Sequence, residues 1–281
     1  MIKIVRSIEA LSDDSNVWFV DIWGVMHNGV QPFAGAVEAC RRFRAHGGIV
    51  VLVSNAPRPA AAVAAGLDLV GVPRDAYDAI QSSGDTARGL IAAVAGQPVY
   101  HLGPERDLPI YDGLGVTRAG PIDAGVIVCT GLVDDETESA QTYAGLLSGF
   151  AARKLPMICA NPDLTVERGG RIIPCAGAVA ALYEGMGGEV RYAGKPYPPI
   201  YEAAFAIVAE LAAHPVPRER ILAIGDGVRT DIAGAAAMGI RSVYIASGVH
   251  LGATPLSEQS LANLFSGVAM KPVAAMTGLI W

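Results

Sequence analysis

The chain has 281 residues, a net charge of −6 and only 6% aromatic side chains. That length fits one large domain or two medium ones. The acidic balance, without any basic run, excludes a nucleic-acid partner, and a composition dominated by Ala and Gly excludes a disordered chain.

The N-terminus, Met1-Ile2-Lys3-Ile4-Val5-Arg6, runs into polar residues and has no signal-peptide apolar region. No segment approaches the roughly 18 unbroken apolar residues of a membrane span. A soluble, cytoplasmic protein is expected, with no membrane partner. None of the four cysteines, Cys40, Cys129, Cys159 and Cys175, forms a CxxC pair, so buried free thiols are expected rather than a zinc site or a disulfide framework.

Val17-Trp18-Phe19-Val20 is the first apolar run, and it reads as a strand buried on both faces. It delivers Asp21 to its C-terminal end, where open parallel sheets place their ligands. A turn follows from Gly24 to Gly29, with Met26-His27-Asn28 inside it. The pattern predicts a helix over Ala36–Ala45, stopped at His46-Gly47-Gly48, and then a strand, Ile49–Val53, that delivers Ser54-Asn55. Strand, helix and strand at this spacing predict two adjacent parallel strands.

Pro57 and Pro59 open a helix over Ala60–Val70, closed by Gly71. A short strand is expected near Asp78–Gln81, and Ser82 or Ser83 can cap a helix through Val94. The texture changes near residue 97. Pro98–Leu102, Gly125–Cys129 and Met157–Ala160 read as strands, Glu136–Arg153 and Ala176–Met186 as helices, and Arg168-Gly169-Gly170-Arg171 as a tight turn. This block reads as a second βα domain inserted into the first. The opening texture resumes at Val190–Ala193, followed by Gly194-Lys195-Pro196 and a helix over Pro199–Ala213. Ile221–Ile224 then delivers Gly225-Asp226-Gly227, with Asp231 early in the next helix and a strand over Ile240–Ile245. The tail after Gly248 is weakly patterned.

Four strand ends therefore carry polar groups: Asp21, Ser54-Asn55, Lys195, and Asp226 with Asp231. Carboxylates on neighbouring strand ends repel unless a cation lies between them, and an oxygen-only ligand set favours Mg²⁺. Ser54, Asn55 and Lys195 are donors for an anionic group. A nucleophilic carboxylate, Mg²⁺ and these donors together describe phosphoryl transfer to an aspartate.

Asp21-Ile22-Trp23-Gly24-Val25, Leu52-Val53-Ser54-Asn55, Gly194-Lys195-Pro196 and Gly225-Asp226-Gly227-Val228-Arg229-Thr230-Asp231-Ile232 resemble the motifs of the haloacid dehalogenase (HAD) superfamily. Ala160-Asn161-Pro162-Asp163 and Pro174-Cys175-Ala176-Gly177-Ala178 are similar to its NagD-like subclass, which carries an α/β cap. The resemblance covers roughly residues 15 to 250. It implies an α/β, Rossmann-like core, a doubly wound parallel sheet over 1–83 and 190–281, with an inserted α/β cap over 84–189.

It also implies a Mg²⁺-dependent hydrolase, a phosphatase for a small organic phosphate. Asp21 would form an aspartyl-phosphate, and Asp21, the backbone carbonyl of Trp23, Asp226 and Asp231 would hold the metal. Ser54, Asn55 and Lys195 would bind the phosphoryl group, with Lys195 also screening Asp21. Caps in this subclass often take part in dimers, so a homodimer is compatible with the resemblance.

Trp23 departs from the family's phosphatase pattern, in which a second aspartate protonates the leaving group and then activates water. Such assistance contributes roughly 10²–10⁴-fold, and an indole N–H, only a hydrogen-bond donor, cannot supply it. Three readings follow: a leaving group that needs no proton, proton work by another residue such as His27, or a different reaction. The alternatives to a phosphatase are a dehalogenase-like attack on carbon and a phospho-ligand-binding protein without turnover.

Overall fold

The computed structural model describes residues 2–168, 171–246, 255–268 and 270–281. The chain forms two compact units. The first comprises Met1–Ser54, Ala64–Gln81 and Tyr201–Trp281, and the second comprises Asn55–Val63 and Ser82–Ile200.

The first unit is built on a seven-stranded sheet. From one edge its order is Lys3–Ile4, Ala274–Met276, Arg241–Ile245, Ile221–Gly225, Val17–Val20, Ile49–Ser54 and Ala79–Ser82. Pairing is parallel from Lys3–Ile4 through Ile49–Ser54. Val17–Val20 is buried along its whole length. Trp18 stacks on Phe43 of the helix Ala34–Ala45, with centroids 4.0 Å apart, while Phe19 lies tilted against Phe205 of the helix Pro198–Ala212 at 5.6 Å. Successive side chains of a strand point to opposite faces, so these two contacts show helices covering both. Burying one such Val or Phe side chain stabilises the fold by about 1.5–3 kcal/mol. Parallel strands of this kind carry no polar face, which is why the run reads as continuous apolar sequence.

The second unit has its own four-stranded parallel sheet, in the order Val190–Tyr192, Met157–Cys159, Val126–Cys129, Val99–Leu102. Alternation sorts its residues into two cores. Ile127, Cys129, Met157 and Cys159 pack with Leu147, Phe150, Val179 and Tyr183. Val126, Val128 and Ile158 pack with Ala87 and Ile91. The strand Val190–Tyr192, which the sequence reading assigns to the resumed core, pairs here with Met157–Cys159. Thr165–Arg168 and Arg171–Pro174 form an antiparallel pair. The tight turn expected between them falls on residues 169–170, outside the described residues.

The helices Ala60–Val70 and Ser83–Ala93 lie where the sequence places them, the latter capped by Ser82. The helix expected over Glu136–Arg153 is shorter. A 3₁₀ turn, Ala140–Tyr143, leads into Ala144–Ala152. The reason is local competition for backbone donors. The Asp134 carboxylate accepts from the Glu136 N–H at 3.0 Å and from the Thr137 hydroxyl at 2.6 Å, and a reciprocal Ser139–Thr142 capping box starts the helix only after Ser139. Among the described residues, no helix is long and apolar enough to cross a membrane.

All four cysteines are free and buried. Burial pushes the Cys40 thiol up to about 12, against the opposing charge of Arg44, and likewise raises Cys129 to about 12. Fewer thiolates then exist at neutral pH than exposed cysteines would give. The native chain should react with less than one equivalent of an aromatic disulfide reagent in minutes, and all four cysteines should react after guanidinium unfolding. Two or more fast-reacting thiols in the native chain would contradict this packing.

Candidate active site

Three adjacent strands of the first unit place polar residues at their C-terminal ends. Asp21 follows Val17–Val20, Asp226 follows Ile221–Gly225, and Ser54 ends Ile49–Ser54. The Asp21 N–H donates to the Ile224 carbonyl at 2.8 Å, which extends the ladder by one residue and fixes the carboxylate at the strand end. Asp231 lies in the widened turn Val228–Ile232 that precedes the helix Ala233–Ala237. Its Oδ2 accepts from the Gly227 N–H at 3.0 Å and the Thr230 hydroxyl at 3.3 Å.

Asp21, Asp226 and Asp231 are all buried, and each offers an oxygen within 4.8 Å of the other two. Glycines make the space. A Cβ on Gly24, whose φ is +83°, would fall 2.2 Å from Asp226 Oδ2, and one on Gly225 would fall 2.2 Å from Asp231 Cγ. Two like charges at such a separation repel by about 3 kcal/mol at an effective dielectric of about 20. The field reaches the neighbouring Tyr244, whose phenol is pushed up first by burial and then by the charge of Asp226. Oxygen donors of this number, charge and proximity fit a hard divalent cation.

The loop after Asp21 is closed by the Met26 N–H to the Ile22 carbonyl and the Gly24 N–H to the His27 carbonyl, both at 2.9 Å. The Trp23 ring stands edge-on to the His27 ring, with centroids 5.2 Å apart. It also lies against Gly29, where a Cβ would sit 2.5 Å from Trp23 Cη2. His27 Nδ1 accepts from the Gly29 N–H at 2.8 Å. Burial holds the His27 imidazole below its usual pKa.

In the second unit Asn55 is a tether. Its Nδ2 donates to Asp163 Oδ1 at 2.9 Å and to the Lys195 carbonyl at 3.2 Å, and its Oδ1 accepts from the Lys195 N–H at 2.7 Å. Gly194 is required there, since a Cβ would lie 2.4 Å from Asn55 Oδ1 and 2.7 Å from Ser83 Oγ. Lys195 is only 3% exposed. Asp85 serves two elements of this unit. Its carboxylate accepts from the Ala60 N–H at 2.8 Å, and its own N–H donates to Ser82 Oγ at 3.0 Å.

Of the residues singled out from the sequence, Asp21, Asp226 and Asp231 thus come together in the first unit, with Ser54 on the neighbouring strand end and Trp23 on the following loop. Asn55 and Lys195 come together in the second. The sequence reading leaves out the roles of Gly24, Gly194 and Gly225, which are legible only once their neighbours are known, and the tie from Asp163 to Asn55.

The chain matches two family models, one described as haloacid dehalogenase-like hydrolase over residues 18–117 and one described as HAD-hydrolase-like over residues 192–262. A solved haloacid dehalogenase-like hydrolase from Brucella suis is 42% identical, with a TM-score of 0.88, covering 99% of this chain and 100% of that one. NagD from Escherichia coli K-12 shares the fold at 20% identity, with a TM-score of 0.70 over 94% of this chain and 96% of its own. D-glycerol 3-phosphate phosphatase of Mycobacterium tuberculosis is 29% identical over 254 residues, which are 86% of this chain. The chain spans 66% of the length of that curated relative. The chain belongs to the haloacid dehalogenase-like hydrolase family, and its fold is that of the family's NagD-like members.

Proposed function

We propose that this chain is a Mg²⁺-dependent phosphatase of a small organic phosphate, working through an aspartyl-phosphate on Asp21. The observation that carries this reading is the trio of buried carboxylates, each with an oxygen within 4.8 Å of the others, at the C-terminal ends of parallel strands. A reading in which Asp21 attacks carbon needs no metal, so it gives the Asp226–Asp231 pair less purpose. The glycerol phosphate phosphatase relative supports a small phosphorylated substrate.

Asp21, the Trp23 carbonyl, Asp226 and Asp231 would hold the cation. When bound, it supplies positive charge that offsets the carboxylates and the phosphoryl oxygens. The chain's own groups do the rest. Asp21 is the nucleophile, aimed from the strand end by its backbone bond to Ile224. Ser54 donates its hydroxyl to a phosphoryl oxygen, and Lys195 its ammonium. Both amide protons of Asn55 are committed to Asp163 and the Lys195 carbonyl. Asn55 therefore contributes to phosphate binding through its backbone N–H and by positioning Lys195. The inserted block, 84–189 on the sequence reading, serves as the cap that selects the substrate.

Incubation with radiolabelled acetyl phosphate and Mg²⁺, followed by acid quench, should trap an acid-stable, hydroxylamine-labile phosphoenzyme. Asp21→Asn should lose the label completely, and labelling that persists in this variant would remove Asp21 from its role.

A second prediction needs no turnover. Mg²⁺ bound only by the native state should stabilise it by about 2.7 kcal/mol at a hundredfold excess over Kd, a rise of several degrees in Tm. Asp226→Asn should show a much smaller rise. An equal rise in this variant would place the cation elsewhere.

A further inference from the structure

A side-chain amide has two unlike ends: its oxygen accepts and its NH₂ donates. Asn55 must therefore face one way to serve Lys195. Its Oδ1 accepts from the Lys195 N–H at 2.7 Å, and its Nδ2 donates to the Lys195 carbonyl at 3.2 Å. Nδ2 also donates to Asp163 Oδ1 at 2.9 Å. A carboxylate only accepts, and its hydrogen bonds are roughly twice as strong as those between neutral groups. Turning the amide over would set its oxygen against the Asp163 carboxylate and the Lys195 carbonyl, and its NH₂ against the Lys195 N–H. Asp163 thus holds the amide in the orientation that grips Lys195. Resting on the phosphatase reading, we propose that Asp163 is a positioning residue, which acts through the Asn55 amide to set the backbone of Lys195 and with it the ammonium that meets the phosphoryl group.

All of these residues lie in the second unit, and Asp163 is itself anchored there. It sits on the loop that follows the strand Met157–Cys159. Its N–H donates to Asn161 Oδ1 at 3.0 Å. Its carbonyl accepts from the Gly177 N–H at 3.1 Å, at the start of the helix Ala176–Gly185. The approach is close, since a Cβ on Gly177 would fall 2.5 Å from the Asp163 carbonyl oxygen. Pro162 of the same loop packs beneath the residue before Lys195, where a Cβ on Gly194 would fall 2.6 Å from Pro162 Cδ. The loop therefore reaches the Lys195 turn twice, once by packing and once through Asn55.

The turn also has a fastening of its own. The Tyr197 N–H donates to the Gly194 carbonyl at 3.0 Å, and the rings of Tyr192 and Tyr197 stack with centroids 4.4 Å apart and planes 5° apart. Removing the Asp163 carboxylate leaves these contacts in place and releases the amide alone. A displacement of about 1 Å in a positioned group can cost about 100-fold. Lys195 meets the phosphoryl group, which every substrate shares, so the loss should be the same for all of them. A residue that touched the leaving group would discriminate among substrates instead.

The test compares kcat/KM of the full chain with MgCl₂ on acetyl phosphate, para-nitrophenyl phosphate and glycerol phosphate. On each phosphate that the native chain turns over, Asp163→Ala should lose at least about tenfold, by one common factor. Asp163→Asn keeps an acceptor oxygen and should stay within about threefold of native. Added to Lys195→Ala and read in single turnover with enzyme in excess, Asp163→Ala should cost nothing further, because the two residues act as one unit. Should Asp163→Ala fail to fold, Asn161→Ala, which removes the acceptor of the Asp163 N–H, should give a smaller common loss that also vanishes in Lys195→Ala. No loss in the variant that folds, a loss that differs among substrates, a loss in Asp163→Asn as large as in Asp163→Ala, or a loss that persists in Lys195→Ala would each overturn the proposal while leaving a phosphatase in place. If the native chain turns over none of the three, the phosphatase reading falls and the proposal with it.

Discussion

Mutual repulsion among three buried carboxylates is the constraint around which the first unit is arranged. Asp21, Asp226 and Asp231 come within 4.8 Å of one another in a place where water screens poorly. Such a site survives only if the scaffold holds it by force. The force comes from strands buried on both faces, where Trp18 stacks on Phe43 and Phe19 meets Phe205. Parallel order does the remainder. Because Ile221–Gly225 lies directly beside Val17–Val20, the residue just beyond each strand carries a carboxylate, and the two come within 4.8 Å of each other.

The apparent surplus of glycine is part of the same arrangement. Gly24 and Gly225 each stand where a methyl group would press on an aspartate of the trio. Packing density in a protein interior leaves no slack for that displacement. These glycines therefore govern the distance between the charges as directly as the aspartates themselves do.

Much of this was legible in the sequence because the first unit follows simple rules. An apolar run such as Val17–Val20 has one interpretation when a carboxylate follows it, and Ala60–Val70 is bounded by Pro and Gly at its two ends. The NagD-like family and its α/β fold were also legible from motif order. Other features depend on distant partners. Lys3–Ile4 and Ala274–Met276 are too short to show a period, and they exist because each pairs with the other across the chain. Asn55 resembles a ligand donor until its partners, 108 and 140 residues away, are seen to occupy its amide. The helix predicted from Glu136 failed at its start because Asp134 and Ser139 offer the backbone other partners.

The seat of Trp23 on Gly29 has an evolutionary consequence. A ring resting directly on a backbone leaves no room for a side chain at position 29, and that glycine already holds a left-handed φ of +85°. The two positions are thus locked as a pair. A lineage that exchanged Trp23 for a small carboxylate would open a void above Gly29 and strip His27 of its packing partner. One that filled position 29 first would displace the ring. Each single step passes through a poorer intermediate, so descendants of this chain should tend to keep both residues or change both.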